Sequence, residues 1–240
     1  MSRVVNRFSN AESLARGAAE EFVTKVAELA SKQAQVNVML TGGTIGIATL
    51  AAIADREDAH LLDWTKIHIW WGDERFVAAD SADRNAVQAR KAMLNKLPVV
   101  EANIHEFPAA DAGLDLDQAA NLFAAELAAL KPRFDLAFVG MGPDGHICSL
   151  FPGKSTPEPG ALVVAEHDSP KPPPQRLSFS YEAMNAVDEL WFVVAGGDKS
   201  LAVTKVFGDN PEELPAGRVH GAKKTIWFVD QTAGVETWGC

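Results

Sequence analysis

The chain has 240 residues, 47% of them hydrophobic, enough to bury a large core as one α/β domain or as two small ones, and a single domain over residues 1–240 is the expectation. With 22 Lys and Arg against 32 Asp and Glu, the formal charge of -10 repels DNA and anionic membrane surfaces, so any phosphate ligand must be gripped by local groups. Two cysteines, Cys148 and Cys240, suit a reducing cytoplasm rather than a disulfide framework or a zinc site; no apolar run reaches a membrane span, and "MSRVVNRFSN" lacks a signal peptide's hydrophobic stretch.

In chain order, "AESLARGAAEEFVTKVAELASKQ" comes first and sets Leu14, Ala18, Phe22, Val26 and Leu29 at steps of three and four, the stripe of an amphipathic helix. Short apolar runs follow: "VNVML" at 36–40, "IHIWW" at 67–71, "LAFVG" at 136–140, "LWFVVAG" at 190–196 and "TIWFVD" at 225–230. Such continuous runs fit strands covered on both faces. Helical patterns lie between them at 83–95 and from Asp117, the second ended by Pro132. Strand and helix alternate, which predicts an α/β fold with a mostly parallel sheet flanked by helices. Over 152–176 the composition turns proline-rich, with "PGKSTPEPG" and "SPKPPPQR" around one strand candidate, "ALVVAE". That stretch reads as an irregular excursion.

In an open parallel sheet the ligand crevice lies beyond the carboxyl ends of the strands. After the first run comes "TGGTIGIATLAAIA": Gly42 and Gly43 let backbone approach a ligand, and Thr44 offers a hydroxyl near a helix start that favours an oxyanion. The bland alternative is a tight strand-to-helix turn. After the second run, Asp73, Glu74 and Arg75 stand together. They are either a solvated turn or a guanidinium oriented by neighbouring acids to meet phosphate or carboxylate. Arg84 and Asn85 sit where the next helix begins, and the Asn85 amide can touch a polar ligand.

The third run leads into "FVGMGPDGHICSLFPG". Gly140, Gly142 and Gly145 match G-x-G-x-x-G, with Glu166 at about a ribose-binding distance, but Pro143, Pro152 and Gly153 leave little room for the helix a dinucleotide site needs. The glycines instead shape a loop that carries His146, a side chain able to accept and return a proton near neutral pH. Ser149 is a weaker nucleophile candidate, because its surroundings are not G-x-S-x-G. His60, His68, His105, His167 and His220 form no metal spacing and read as structural or surface residues. After the fourth run, "GDKSLAVTKVF" puts Lys199 at another helix start, and Arg176 in "PPPQRLSFS" adds a further cation.

Taken in order, "LTGGT", "WWGDERFV" through Asn85, "VGMGPDGHICSLFPG", "KPPPQRLSFS" and "GGDKS" resemble the glucosamine-6-phosphate isomerase/6-phosphogluconolactonase family, nearer to its lactonases, over nearly the whole chain. The resemblance implies a Rossmann-like α/β fold and cytoplasmic hydrolysis of 6-phosphogluconolactone without metal or organic cofactor. It implies a small sugar-phosphate lactone as partner, no nucleic acid or membrane, and a monomer or weak homodimer. His146 falls on the family's catalytic histidine, with Asp144 orienting its ring or capping the turn. Gly43, Thr44, Arg75, Arg176 and Lys199 fall on substrate or phosphate positions, and Gly42, Asp73, Asn85 and Gly142 complete the expected binding set. The chain departs from the pattern where Ile45 and Gly46 replace the usual Pro after the GG-S/T turn, and where "DRN" stands for the commoner Ser-Asn. The nearest rival, an aminosugar-phosphate deaminase or isomerase, shares "DGH" but supplies a carboxylate in Phe-Asn-Glu-Pro; "ICSLFPG" has none. A noncatalytic sugar-phosphate sensor is the rival from another class, and no basic segment for a DNA-binding helix-turn-helix is found.

Overall fold

The computed structural model describes residues 2–234. The first helix, α1 (Ala11–Lys32), starts where Asn10 and Ser13 form a reciprocal capping box, and it buries Leu14, Ala18, Phe22 and Val26 along the predicted stripe. Burying each large apolar side chain of that stripe contributes roughly 1.5–3 kcal/mol. Polar substitution at Phe22 would break this face.

Six strands, β1 (Ser2–Phe8), β2 (Val36–Leu40), β3 (Ile67–Trp71), β5 (Phe134–Gly140), β8 (Glu189–Val194) and β9 (Lys224–Asp230), form one sheet in the order β1-β9-β8-β5-β2-β3. Every neighbouring pair is parallel. All five residues of β2 are buried, including Asn37, whose amide donates to Arg133 O at 3.0 Å and accepts from Trp70 Nε1 at 3.0 Å. Edge strand β1 is not apparent in the sequence, because its valines are only partly buried and Asn6 and Arg7 interrupt any apolar run.

The proline-rich stretch is more ordered than expected. Strands β4 (Asp73–Arg75), β6 (Val163–Glu166) and β7 (Arg176–Phe179) form a second, antiparallel sheet in the order β4-β7-β6. The chain crosses from β3 into β4 through Gly72, whose carbonyl accepts from Phe179 N at 2.9 Å. A Cβ on Gly72 would stand 2.9 Å from Cys148 Sγ, so the histidine loop presses directly on this crossing. One hydrophobic cluster runs through both sheets.

Helix α2 (Thr44–Ala54) follows β2, and α3 (Asn85–Ala92) follows β4. The pattern predicted over 83–95 is shorter as a helix, since Met93 leaves helical geometry and a separate 3-10 turn covers Leu94–Lys96. Helix α4 (Leu116–Leu130) is capped by Asp115 with Gln118 and ends at left-handed Lys131, just before Pro132. Two short helices, α5 (Tyr181–Asn185) and α6 (Ser200–Val206), complete the α-helices among the described residues.

From β2 the chain steps outward to β3, and from β5 it steps the opposite way to β8. The carboxyl ends of β2 and β5 therefore flank the point where strand order reverses, the place where open parallel sheets hold ligands. Gly140 N donates to Thr41 Oγ1 at 3.3 Å across that gap.

Candidate functional site

A cleft of about 360 Å³ opens at this reversal, and every predicted site residue lines it except Asp144, which stands behind His146. At the exit of β2, Gly43 has φ +80°, a left-handed conformation that favours glycine, and it begins α2 without any side-chain cap. The first amides of α2 have no intrahelical partner, and Thr44 and Ile45 carry them into the cleft wall. This end of the cleft is suited to an oxyanion.

The Asp-Glu-Arg triplet is no solvated turn. Asp73 and Glu74 are buried at the head of the second sheet. Glu74 accepts from the amides of Arg75 and Asn85 at 2.7 Å and of Ala86 at 2.9 Å, replacing the cap that Arg84 cannot supply to α3. Burial pushes the Glu74 carboxyl up to about 7, against the charge of Arg84 and those amide bonds. Asn85 Nδ2 donates to Asp73 O at 2.9 Å, while Asn85 Oδ1 is buried without a partner. A Cβ at Gly42 would stand 2.0 Å from that Oδ1, so glycine is required for the two walls to meet. Arg75 Nη1 donates to Asp83 O at 2.5 Å and the side chain lines the cleft.

The loop after β5 opens no helix before β6, which disposes of the dinucleotide reading; Glu166 lies in β6 and pairs with Lys154 at 3.1 Å. Gly145 turns the loop at φ +79°, and Gly142 N donates to His146 O at 2.9 Å. The imidazole lies against Gly142, where a Cβ would meet its Nδ1 and Cε1 at 2.0 Å, and its ring centre is 4.8 Å from that of Phe151. His146 Nδ1 is 2.5 Å from Asp144 Oδ1. Donation from Nδ1 to this carboxylate leaves Nε2 as the acceptor. Burial lowers the His146 pKa below the ordinary 6.5; Asp144 and Asp73 oppose this and Lys171 adds to it. Burial raises the Asp144 carboxyl, but the hydrogen bond and charge of His146, with Lys171, outweigh it and the net shift is downward.

Ser149 is excluded as a nucleophile by its position: it is buried, and its Oγ donates to Asp73 Oδ2 at 2.7 Å. Cys148, at φ +46°, has a free thiol that burial raises well above its ordinary pKa, with Asp73 adding to the shift; Cys240 lies outside the described residues. Arg176, expected to reach the ligand, is partly committed elsewhere. Its Nε donates to Pro173 O at 2.8 Å and its Nη2 to Lys171 O and Pro172 O at 3.0 Å, bracing the proline-rich loop while it still lines the cleft. Lys199 pairs with Asp198 at 2.7 Å on the cleft wall. Lys171, not anticipated from the sequence, reaches within 3.1 Å of His146 Nδ1. Its one local signal is its place between Pro170 and Pro172, residues that stiffen the segment presenting it. The other histidines lie outside the cleft lining: His68 and His105 face each other at 3.1 Å, and His167 pairs with Asp117. Among the described residues no group of three or more His, Cys, Asp or Glu is placed to hold a metal ion, and no helix is long and apolar enough to cross a membrane.

The profile of the family described as glucosamine-6-phosphate isomerases/6-phosphogluconolactonase matches residues 9–227. A 6-phosphogluconolactonase of Streptomyces coelicolor is 36% identical over 234 residues, covering 92% of this chain and 90% of that protein. The Mycobacterium tuberculosis 6-phosphogluconolactonase is 36% identical over 246 residues, with 98% and 99% covered. The crystal structure of 6-phosphogluconolactonase from Thermotoga maritima superposes with a TM-score of 0.84 at 27% identity, over 96% of this chain and all of that one. The chain belongs to the glucosamine-6-phosphate isomerase/6-phosphogluconolactonase family.

Proposed function

We propose that this chain hydrolyses 6-phospho-D-glucono-1,5-lactone to 6-phospho-D-gluconate, the second step of the oxidative pentose phosphate pathway, with His146 as base and then acid. The observation that carries it is the pairing of His146 with Asp144 in the same cleft as the open amino end of α2 and the cations Arg75 and Lys199. The remote phosphate is held by α2 amides, Thr44 and these cations, which fixes the sugar ring against the imidazole. Asn85 Oδ1, the unpaired acceptor in the cleft wall, suits a sugar hydroxyl.

Neutral His146 takes a proton through Nε2 from a water as its oxygen bonds to the lactone carbonyl carbon. The oxyanion so formed is met by Arg75 or backbone N–H groups. It collapses with cleavage of the bond to the ring oxygen, which receives the proton from the imidazolium, giving the acid and a free hydroxyl. No covalent enzyme intermediate is involved. The absence of a carboxylate in the "ICSLFPG" that follows His146 favours this over deamination or isomerisation. The same reading puts the reaction in the cytoplasm, on a monomer or weak homodimer.

The test is proton release from freshly made lactone by wild type and His146→Ala, with phosphogluconate binding measured alongside. Hydrolysis is expected to fall to the spontaneous rate while binding persists. Equal activity in both, after correction for spontaneous hydrolysis, refutes the assignment.

A further inference from the structure

We propose that Lys171 is a positioning residue that sets the acid–base strength of His146 through the Asp144 carboxylate the two share. Its value to catalysis rests on the lactonase reading above. Lys171 Nζ lies 3.1 Å from His146 Nδ1 and 3.5 Å from Asp144 Oδ1, the same oxygen that His146 Nδ1 approaches to 2.5 Å. One carboxylate oxygen thus serves two nitrogen groups, 25 residues apart in the chain.

The placement of Lys171 is built rather than incidental. Its carbonyl accepts from Arg176 Nη2 at 3.0 Å and Ser169 Oγ at 2.9 Å, and its amide donates to Ser169 Oγ at 3.2 Å. Ser169 and Arg176 are both buried. The backbone is therefore clamped while the side chain, 41% exposed, hangs over the cleft.

Nδ1 can donate to a carboxylate or accept from an ammonium, but not both. The shorter contact is to Asp144, so the ammonium acts as a charge beside the ring and as a competitor for the carboxylate. A second cation at this distance disfavours the imidazolium. The ring then stays neutral before water attacks, and the imidazolium formed by the attack gives its proton up to the ring oxygen more readily. Other charged groups stand around the ring on the elements packed against it. Asp144 comes from its own loop; Asp73 comes from β4 and is engaged by Ser149 and Asn85. Arg75, Arg176 and Lys199 line the same cleft without a hydrogen bond to the imidazole. Gly142 and Phe151 supply uncharged faces.

The test is a ring titration of His146 by nitrogen-15 and proton NMR in the full, ligand-free chain, assigned with His146→Gln. Lys171→Met is expected to raise the titration midpoint by about one pH unit, and Lys171→Arg to restore most of the wild-type value. With the lactone as substrate, the acid limb of kcat/KM should move upward by the same amount in Lys171→Met. An unchanged midpoint in Lys171→Met overturns the proposal, and so does an unchanged midpoint with KM alone raised, which makes Lys171 a simple substrate cation. The titration needs no turnover. If the wild-type chain fails to hydrolyse the lactone, the functional reading fails while the effect of Lys171 on the ring is still decided.

Discussion

The Ser149 hydroxyl donates to Asp73 Oδ2 at 2.7 Å and fastens the histidine loop to the strand that carries Arg75, a link across 76 residues of sequence. Replacing Ser149 by Ala leaves a buried carboxylate oxygen without its donor, which costs about 1–3 kcal/mol. The loop is also freed to drift, so kcat should fall with stability. Urea unfolding together with lactone turnover checks both, and full stability in Ser149→Ala would show the bond to be dispensable.

The pH dependence follows from the His146–Asp144 pair. Because the ring must be neutral to act as base and its pKa lies below the ordinary 6.5, activity should persist as pH falls through 6.5 and be lost only lower. Asp144→Asn removes the group that favours the imidazolium, so the acid limb should move lower still. At the same time kcat should drop by at least about tenfold, because an amide can present either its oxygen or its NH2 to Nδ1 and no longer fixes the ring's tautomer. A pH–rate profile of kcat/KM separates these effects; unaltered kcat would reduce Asp144 to a turn-forming residue.

Gly42→Ala places a methyl 2.0 Å from Asn85 Oδ1, and Asn85 is held in turn by Asp73 O. The overlap should cost about 1–3 kcal/mol of stability and raise KM. Adding Asn85→Ala should relieve the clash and restore stability without restoring KM. A double-mutant cycle gives the coupling directly, and strict additivity would deny the contact.

Arg84, buried, sits 3.8 Å from Glu74 and donates to Phe107 O at 2.8 Å. The Glu74 carboxyl already lies near 7 in the folded chain, so its contribution to stability is present at low pH and lost as pH rises through that value. Arg84→Met removes the opposing cation and raises the midpoint further. The extra destabilisation should therefore be small at pH 6 and grow above pH 7, by about 1.4 kcal/mol for each pH unit between the two midpoints. Unfolding measured at pH 6 and pH 9 tests the sign, and an equal loss at both would mean that the charge pairing is not the cause.

Local backbone demands were written plainly in the chain. Apolar runs marked five of the six strands of the parallel sheet, β2, β3, β5, β8 and β9, because strands covered on both faces need few polar residues for solvent. Glycine at 43 and 145 marked turns that use left-handed backbone, and the loop after β5 announced His146. Harder to read were β1, β4 and β7, which are an edge strand or very short strands whose pairing depends on distant partners.

The sequence by itself determined the α/β class, the strand exits worth inspecting and the candidate histidine, since each depends on residues close together along the chain. Only the tertiary structure decided that Ser149 serves Asp73 rather than a substrate, that Arg176 braces a loop, and that Lys171 stands beside His146. Those roles arise where the reversal of strand order and the second sheet bring separate segments within hydrogen-bond reach, and the range of a hydrogen bond or close charge contact is set by distance in space, which local sequence does not encode.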